Sequence, residues 1–391
     1  MRLQNDVWSA SIAGRLEVSP ASSQPNTVLF LSHSHDNGVF KVGSHHLARE
    51  LARMDLQVAH VSTPFSMAHA LFARSQPERM KRAREGVRID TNGVKHLIPG
   101  SLLPAQYSTA AYLVHAMKAV GMERPDIVFV DQPLMLCKML FETGATTIYR
   151  PTDLYLRGAA RRLQSKYVER CGGVAATSGK VLESLPTVTN QPRMVIPNGV
   201  EYSRFHAADP AAHRSGAVYV GALDSRFDWD AIIAMARAHP SLKISLVGPV
   251  STIPTGLPPN VEIQGPMSYQ DVPQHLARFS VGLLPLSDDP SNAGRSPMKL
   301  FEYLAAGLYV VATAVRGLTE RPDLPGCFFY TQRGEAAGAL GHALAMQGSN
   351  TAGMESARAQ DWREKARQLL HFARSLRSAV APTCEADCIA R

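Results

Sequence analysis

The chain has 391 residues, 45% apolar and 19% charged, an ordinary globular composition that at roughly 100–200 residues per domain amounts to two domains. Two classes are excluded: no apolar run reaches the roughly 18 residues of a spanning helix, and five scattered cysteines (Cys137, Cys171, Cys327, Cys384 and Cys388) make no disulfide framework. Residues 1–200 hold 23 Lys+Arg against 15 Asp+Glu, while residues 201–391 hold 18 of each, so the whole net charge of +8 falls in the first half. That surplus suits an anionic partner: nucleic acid, a membrane surface or a phosphorylated substrate.

Residues 1–25 lack the continuous apolar stretch of a signal peptide and read as a flexible lead, so the expected location is the cytoplasm. From residue 26, apolar runs alternate with helical segments. Strands are expected at 27–32, 57–62, 126–131, 146–150, 173–177 and 193–197, with helices at 43–54, 109–120 and 155–170. A hairpin over 87–98 turns at Asn92-Gly93. The stretch "VIPNGVEYSRFHAADPAAHRSG" (195–216) stops this rhythm at Pro197, Asn198 and Gly199, and 199–215 reads as a linker. Strands then restart at 217–222, 242–248, 261–265, 281–286 and 309–313. A helix over 361–378 has apolar positions at Ala366, Leu369, Leu370, Ala373 and Leu376, and 379–391 is a tail. Buried strands that alternate with helices predict parallel sheets covered on both faces. The expected fold class is α/β, with two doubly wound, Rossmann-like domains (26–198 and 216–360) facing across a cleft. Ligands of such sheets bind beyond the carboxyl ends of the strands, which directs attention to the loops there.

"SPMKLFEYLAAGLYVV" (296–311) is the most informative of these regions. It predicts a helix over 297–306 with Pro297 in the first turn and Gly307 at the C-terminal stop. Lys299 and Glu302 are three residues apart and share a face. A helix N-terminus offers free N–H groups to an anion; Lys299 adds a full charge, and Glu302 can accept hydrogen bonds from a ribose diol. A nucleotide diphosphate satisfies this set. A plain surface ion pair satisfies it equally well.

In order, "VIPNGVEYSRF", "VGALDSRFDWDAI", "LKISLVGP" and "KLFEYLAAGLYVV" resemble the C-terminal half of GT-B glycosyltransferases, and "DWREKARQLL" resembles the closing helix that crosses back to the first domain. "YRPTDLYL", "SPMKLFEY" and "LSHSHDNGVFKVGSHH" look like segments of the xanthan-type glucuronosyltransferases and related bacterial group 1 enzymes. The resemblance implies transfer of a sugar, glucuronate among the possibilities, from a UDP-sugar to a lipid-linked or exopolysaccharide glycan. It gives the nucleotide to Lys299, Glu302, Met267, Met298, Gly221 and Leu223, and the catalytic base to Asp153. It implies no cofactor and no metal, no nucleic acid, and a place at the inner face of the cytoplasmic membrane. Glu302 stands where the glucuronosyltransferases have Gln; Glu is usual in the retaining, sucrose-synthase-like group. Retaining transfer with another nucleotide sugar, a nucleotide-sugar epimerase and a non-catalytic nucleotide-binding protein are the alternatives.

From the residues themselves, Asp153 follows strand 146–150 at its carboxyl end and serves either as a base or as the N-cap of the next helix. Arg150 just before it is placed to pair with it and lower its pKa. The loop after the first strand offers His33, His35, Asp36 and Lys41 as acceptor-binding residues or an alternative base. No GxGxxG is present, and Asp288-Asp289 lacks a metal-binding context. Finally, "ARSQPERMKRAREGVR" (73–88) holds six basic and two acidic residues. Arg79, Lys81, Arg82 and Arg84 are its candidates for an anionic membrane, with more cations on the helix expected over 155–170.

Overall fold

The computed structural model describes residues 25–34, 41–67, 77–107, 111–206, 214–320 and 324–380. Its strands are β1 (Thr27–Ser32), β2 (Gln57–Ser62), β3 (Phe65–Ser66), β4 (Arg88–Ile89), β5 (Lys95–Leu97), β6 (Gly100–Ser101), β7 (Ile127–Val130), β8 (Thr146–Tyr149), β9 (Gly173–Ala176), β10 (Arg193–Val195), β11 (Ala217–Val220), β12 (Ile244–Val247), β13 (Val261–Gln264), β14 (Val281–Leu284), β15 (Tyr309–Thr313) and β16 (Cys327–Tyr330). Short runs of Val, Ile, Leu and Phe are buried on both faces, as central strands of covered parallel sheets must be.

The first domain holds an eight-stranded sheet of order β10-β9-β8-β7-β1-β2-β5-β4, and the second a six-stranded sheet of order β13-β12-β11-β14-β15-β16. Among the described strands all pairings are parallel except β4 with β5, the hairpin around Asn92-Gly93; Gly93 takes the left-handed φ of 85° that such a turn requires. In each sheet the order reverses beside its first strand: β1 lies between β2 and β7, and β11 between β12 and β14. At these switch points the flanking crossovers go to opposite faces and leave a crevice beyond the carboxyl ends. β16 and the small β3–β6 pair were not foreseen, since two to four residues without alternation give little pattern to read.

Two chain passages join the domains. Val200 N–H donates to the Gln360 carbonyl and Trp362 N–H donates to the Val200 carbonyl, both at 3.0 Å. The helix Trp362–Val380 then lies on the first domain. Trp362, Ala366, Leu369, Ala373 and Leu376 pack into one core cluster with Val28, Phe30, Leu47 and Phe129. The Trp362 ring stacks on His46 with centroids 5.0 Å apart.

Candidate active site

The cleft-side helix is Met298–Ala305, with Pro297 as its cap residue and no side chain capping its first N–H groups. At its other end Gly307 sits at φ 78°; its N–H donates to Leu304 O and the Leu308 N–H to Tyr303 O, at 2.9 and 3.0 Å. This paired closure needs a left-handed residue, which glycine adopts without strain. The buried Tyr303 hydroxyl accepts from the Val220 N–H at 2.9 Å, tying the helix to the end of β11. The loop ahead of the helix is tied to the other domain. Asn198 donates its backbone N–H to Ser296 Oγ at 3.0 Å and its side-chain amide to Ser296 O at 2.8 Å. Ser178 Oγ donates to Gly294 O at 2.8 Å.

A cavity of about 380 Å³ lies between the domains at both switch points. The second domain contributes Lys299, Arg295, Arg226, Glu302, Met267, Met298 and Tyr269; the first contributes His33, Lys41, Asp131 and Asp153. Three cations thus meet at an open helix N-terminus, the arrangement that binds a diphosphate. The Lys299 amine lies 5.6 Å from the centre of the Tyr219 ring. A Cβ on Gly221 would come within 2.5 Å of that amine, so Gly221 serves the site by leaving room for Lys299. Arg226 is steered by Asp224, to whose two carboxylate oxygens its Nε donates at 3.1 Å.

Burial pushes the Glu302 carboxyl up to about 7, against the pull of the Lys299 charge. Burial, helped by Arg295, pulls Lys299 down to about 8. Burial and the Arg226 charge likewise lower Arg295. These cations stand together, half-buried, on one wall of the cavity, where an incoming polyanion relieves their repulsion.

On the opposite wall, Asp153 accepts from Thr152 Oγ1 at 2.9 Å. It is no helix cap, because the next helix begins only at Gly158 with Arg157 as its cap residue. The expected Asp153–Arg150 pair is corrected. Arg150 is 1% exposed and donates to Asp131 Oδ2 at 2.9 Å and to Asn198 Oδ1 at 3.2 Å. Both partners of Arg150 line the cavity with Asp153, so Arg150 reaches the site through Asp131 and Asn198. Asp131, directly after β7, was missed although the strand-end rule selects it. Burial raises its pKa against the pull of Arg150, and its Oδ1 has no hydrogen-bond partner. Arg226, Arg295 and Tyr269 were also missed. They come from three different loops, and no spacing in the sequence joins them.

The other expected residues divide. His33, Lys41, Met267 and Met298 line the cavity. Leu223 is corrected: it is 1% exposed and packs among Tyr219, Phe227 and Ile232 in the second core. Its backbone pairs with Val250 at the sheet end, which turns the side chain inward. His35 and Asp36 lie outside the described residues. Arg79 donates to Thr63 O at 2.7 Å and Arg82 pairs with Glu85 at 2.6 Å, whereas Lys81 and Arg84 are exposed. Among the described residues no helix is long and apolar enough to cross a membrane.

The family described as "Glycosyl transferases group 1" matches residues 215–345. A protein of Bacillus subtilis (strain 168), TuaH, named as a teichuronic acid biosynthesis glycosyltransferase, is 27% identical over 267 residues. The match covers 62% of this chain and 66% of that protein's length. Sucrose-phosphate synthase from Thermosynechococcus elongatus superposes with a TM-score of 0.66 at 17% identity, over 90% of this chain and 100% of its own. Anabaena HepE, solved with UDP and glucose, superposes with a TM-score of 0.58 at 14% identity, over 91% and 98%. At these identities the structural likenesses speak for the fold. Together with the paired switch-point cleft they give the chain the GT-B fold, and its residues 215–345 are similar to the group 1 glycosyltransferase family.

Proposed function

We propose that the protein moves a hexose-type sugar from a UDP-sugar to a glycan of the cell envelope, carried on a lipid at the inner face of the cytoplasmic membrane. The observation that carries this reading is the meeting of Lys299, Arg295 and Arg226 at an uncapped helix N-terminus, with Asp153 on the facing wall. The cations hold the diphosphate and stabilise the charge that grows on it as it leaves, so no metal is needed. Glu302 receives the ribose hydroxyls, and Met267 and Met298 flank the base. Asp153 takes the acceptor hydroxyl's proton as the new glycosidic bond forms and the bond to the diphosphate breaks. The names of TuaH and of HepE with its UDP and glucose support the envelope glycan and the UDP donor. Glucuronate is the donor sugar to try first, on the segments around Asp153 and Lys299. A second reading, transfer with retained configuration, is favoured by the carboxylate at Glu302; the leaving phosphate then takes the proton.

A panel of nucleotide sugars, incubated with the enzyme and a membrane extract and followed by UDP release and proton NMR of the product, tests this. A β-linked product from an α-linked donor supports Asp153 as base, and an α-linked product supports retention. Absence of turnover with every sugar nucleotide, despite UDP binding, overturns the proposal in favour of a binding protein.

A further inference from the structure

Arg150 and Asp131 form an ion pair in which each residue is 1% exposed. Their placement follows from the sheet. β7 and β8 run parallel with Val130 opposite Tyr149, so Asp131 and Arg150 are the next residues of neighbouring strands. Backbone bonds fix both: the Asp131 N–H donates to Leu31 O at 2.9 Å and the Arg150 N–H to Val130 O at 2.8 Å. From there the guanidinium reaches in two directions. Nη1 donates to Asp131 Oδ2, and Nη2 donates to Asn198 Oδ1 where the chain leaves the first domain. Asn198 in turn grips Ser296 through two bonds, and Pro297, next to Ser296, is the cap residue of the helix that carries Lys299. The helix Gly43–Ala52 starts against this line. A Cβ on Gly43 would lie 2.7 Å from Asn198 Oδ1 and 2.9 Å from Arg150 Nη2, so only a glycine can come so near.

Stability is a weak reason for such a pair. Taking two charges out of water is expensive, and apolar side chains of similar size would hold a sheet end as well. What a guanidinium adds is direction. Its planar fork fixes two acceptors at set angles, which the compact ammonium of lysine on its flexible stem cannot do. The groups it fixes stand on opposite walls of the cavity. Lys299, Arg295 and Arg226 belong to the second domain, Asp131 and Asp153 to the first. Asp153 is tied to the same point: it follows Arg150 through Pro151, whose carbonyl accepts from the Thr177 N–H at 3.2 Å.

We propose that Arg150 is a positioning residue for sugar transfer. It does not itself line the cavity. Through Asp131 on one side, and through Asn198 and Ser296 on the other, it keeps the carboxylate wall in register with the diphosphate-binding helix. The consequence is a split between binding and turnover. UDP alone needs one wall and the reaction needs both, and a displacement of about 1 Å between reacting groups lowers the rate about a hundredfold. This role rests on the transfer proposed above, which calls for a readout besides turnover.

Arg150→Lys, Asn198→Ala and the double variant test it in the full chain, by calorimetry with UDP, by turnover of a UDP-sugar and by amide exchange followed with mass spectrometry. Arg150→Lys should bind UDP as wild type does, keep its KM for the donor and lose about a hundredfold in kcat. Asn198→Ala should lower kcat likewise, and the double variant should lose no more than the worse single, because both cut one line. Amides of residues 295–302 should exchange several-fold faster in Arg150→Lys although they lie in the other domain, while those of β12 and β13 keep their wild-type rates. Where Arg150→Lys does not fold, Asn198→Ala carries the test with the same split and the same change in exchange. Undiminished kcat, losses that add in the double variant, or unchanged exchange over 295–302 overturns the proposal. So does faster exchange in every segment alike, the mark of a residue that serves stability alone. If wild-type protein binds UDP but transfers no sugar from any donor, the function proposed above fails, and the tie between the walls stands or falls on the exchange over 295–302.

Discussion

The two halves of the chain carry opposite charge inside and outside the cleft. The second half, with 18 basic and 18 acidic residues, supplies Arg226, Arg295 and Lys299 to the cavity. The first half holds the whole surplus of +8 yet faces the cavity with Asp131 and Asp153 as well as His33 and Lys41. Net charge per domain therefore predicts the outer surface and misreports the site. The reason is range: water and salt screen scattered surface charges over about 10 Å, whereas a few half-buried groups around one cavity act on one another more strongly.

The sharpest way to break this comparison is on the carboxylate side. Asp153→Asn keeps shape and hydrogen bonding but takes no proton. In an inverting transfer, turnover should fall by about 10²–10⁴ with donor affinity near wild type. Steady-state kinetics with saturating donor checks this, and a nearly silent change would move the base to His33 or Asp131.

Asp131 should respond differently. Asp131→Ala leaves Arg150 buried without its counter-charge, and thermal or urea unfolding should show a loss of about 3–5 kcal/mol. Asp131→Asn should lose less, since the amide oxygen still accepts from Arg150. Equal stability of wild type and Asp131→Ala would remove the ion pair from the account of the fold.

On the cationic side, Lys299→Ala should weaken UDP binding by about 1.5–3 kcal/mol, with Arg226→Ala and Arg295→Ala in the same range. UMP should feel these changes less, because it lacks the second phosphate. Calorimetry giving identical UDP affinities across the three variants would sink the diphosphate assignment.

The smallest effect is one of pH. The Glu302 carboxyl lies at about 7 in the fold against its ordinary 4.5, so the folded protein holds a proton that the unfolded chain has released. Stability is therefore full below pH 4.5 as far as this group is concerned, and declines as pH rises from there to about 7. Glu302→Gln should abolish that decline and be more stable than wild type at pH 7.5, while losing affinity for UDP. Parallel melting curves of the two proteins between pH 4.5 and 7.5 would show that burial does not raise this carboxyl.

Much of the fold was legible because its strands are written as short apolar runs between helical segments, and the place where the rhythm stops marks the change of domain. The helix with Lys299 and Glu302 was legible for the same local reason: cation, acid and terminal glycine fall within one stretch of nine residues. What the sequence by itself determined is whatever neighbours in the chain decide, namely strand periodicity, the Gly307 stop and the alternation that makes two parallel sheets. The tertiary structure alone decided the rest. It sent Arg150 to Asp131 rather than Asp153, turned Leu223 into the core, folded Arg79 onto Thr63, and brought Arg226, Arg295 and Asp131 to one cavity from loops far apart in sequence. Sheet order and the crossing helix fix those meetings, and pairing across a sheet depends on burial and register summed over whole elements, which no single segment of the chain encodes.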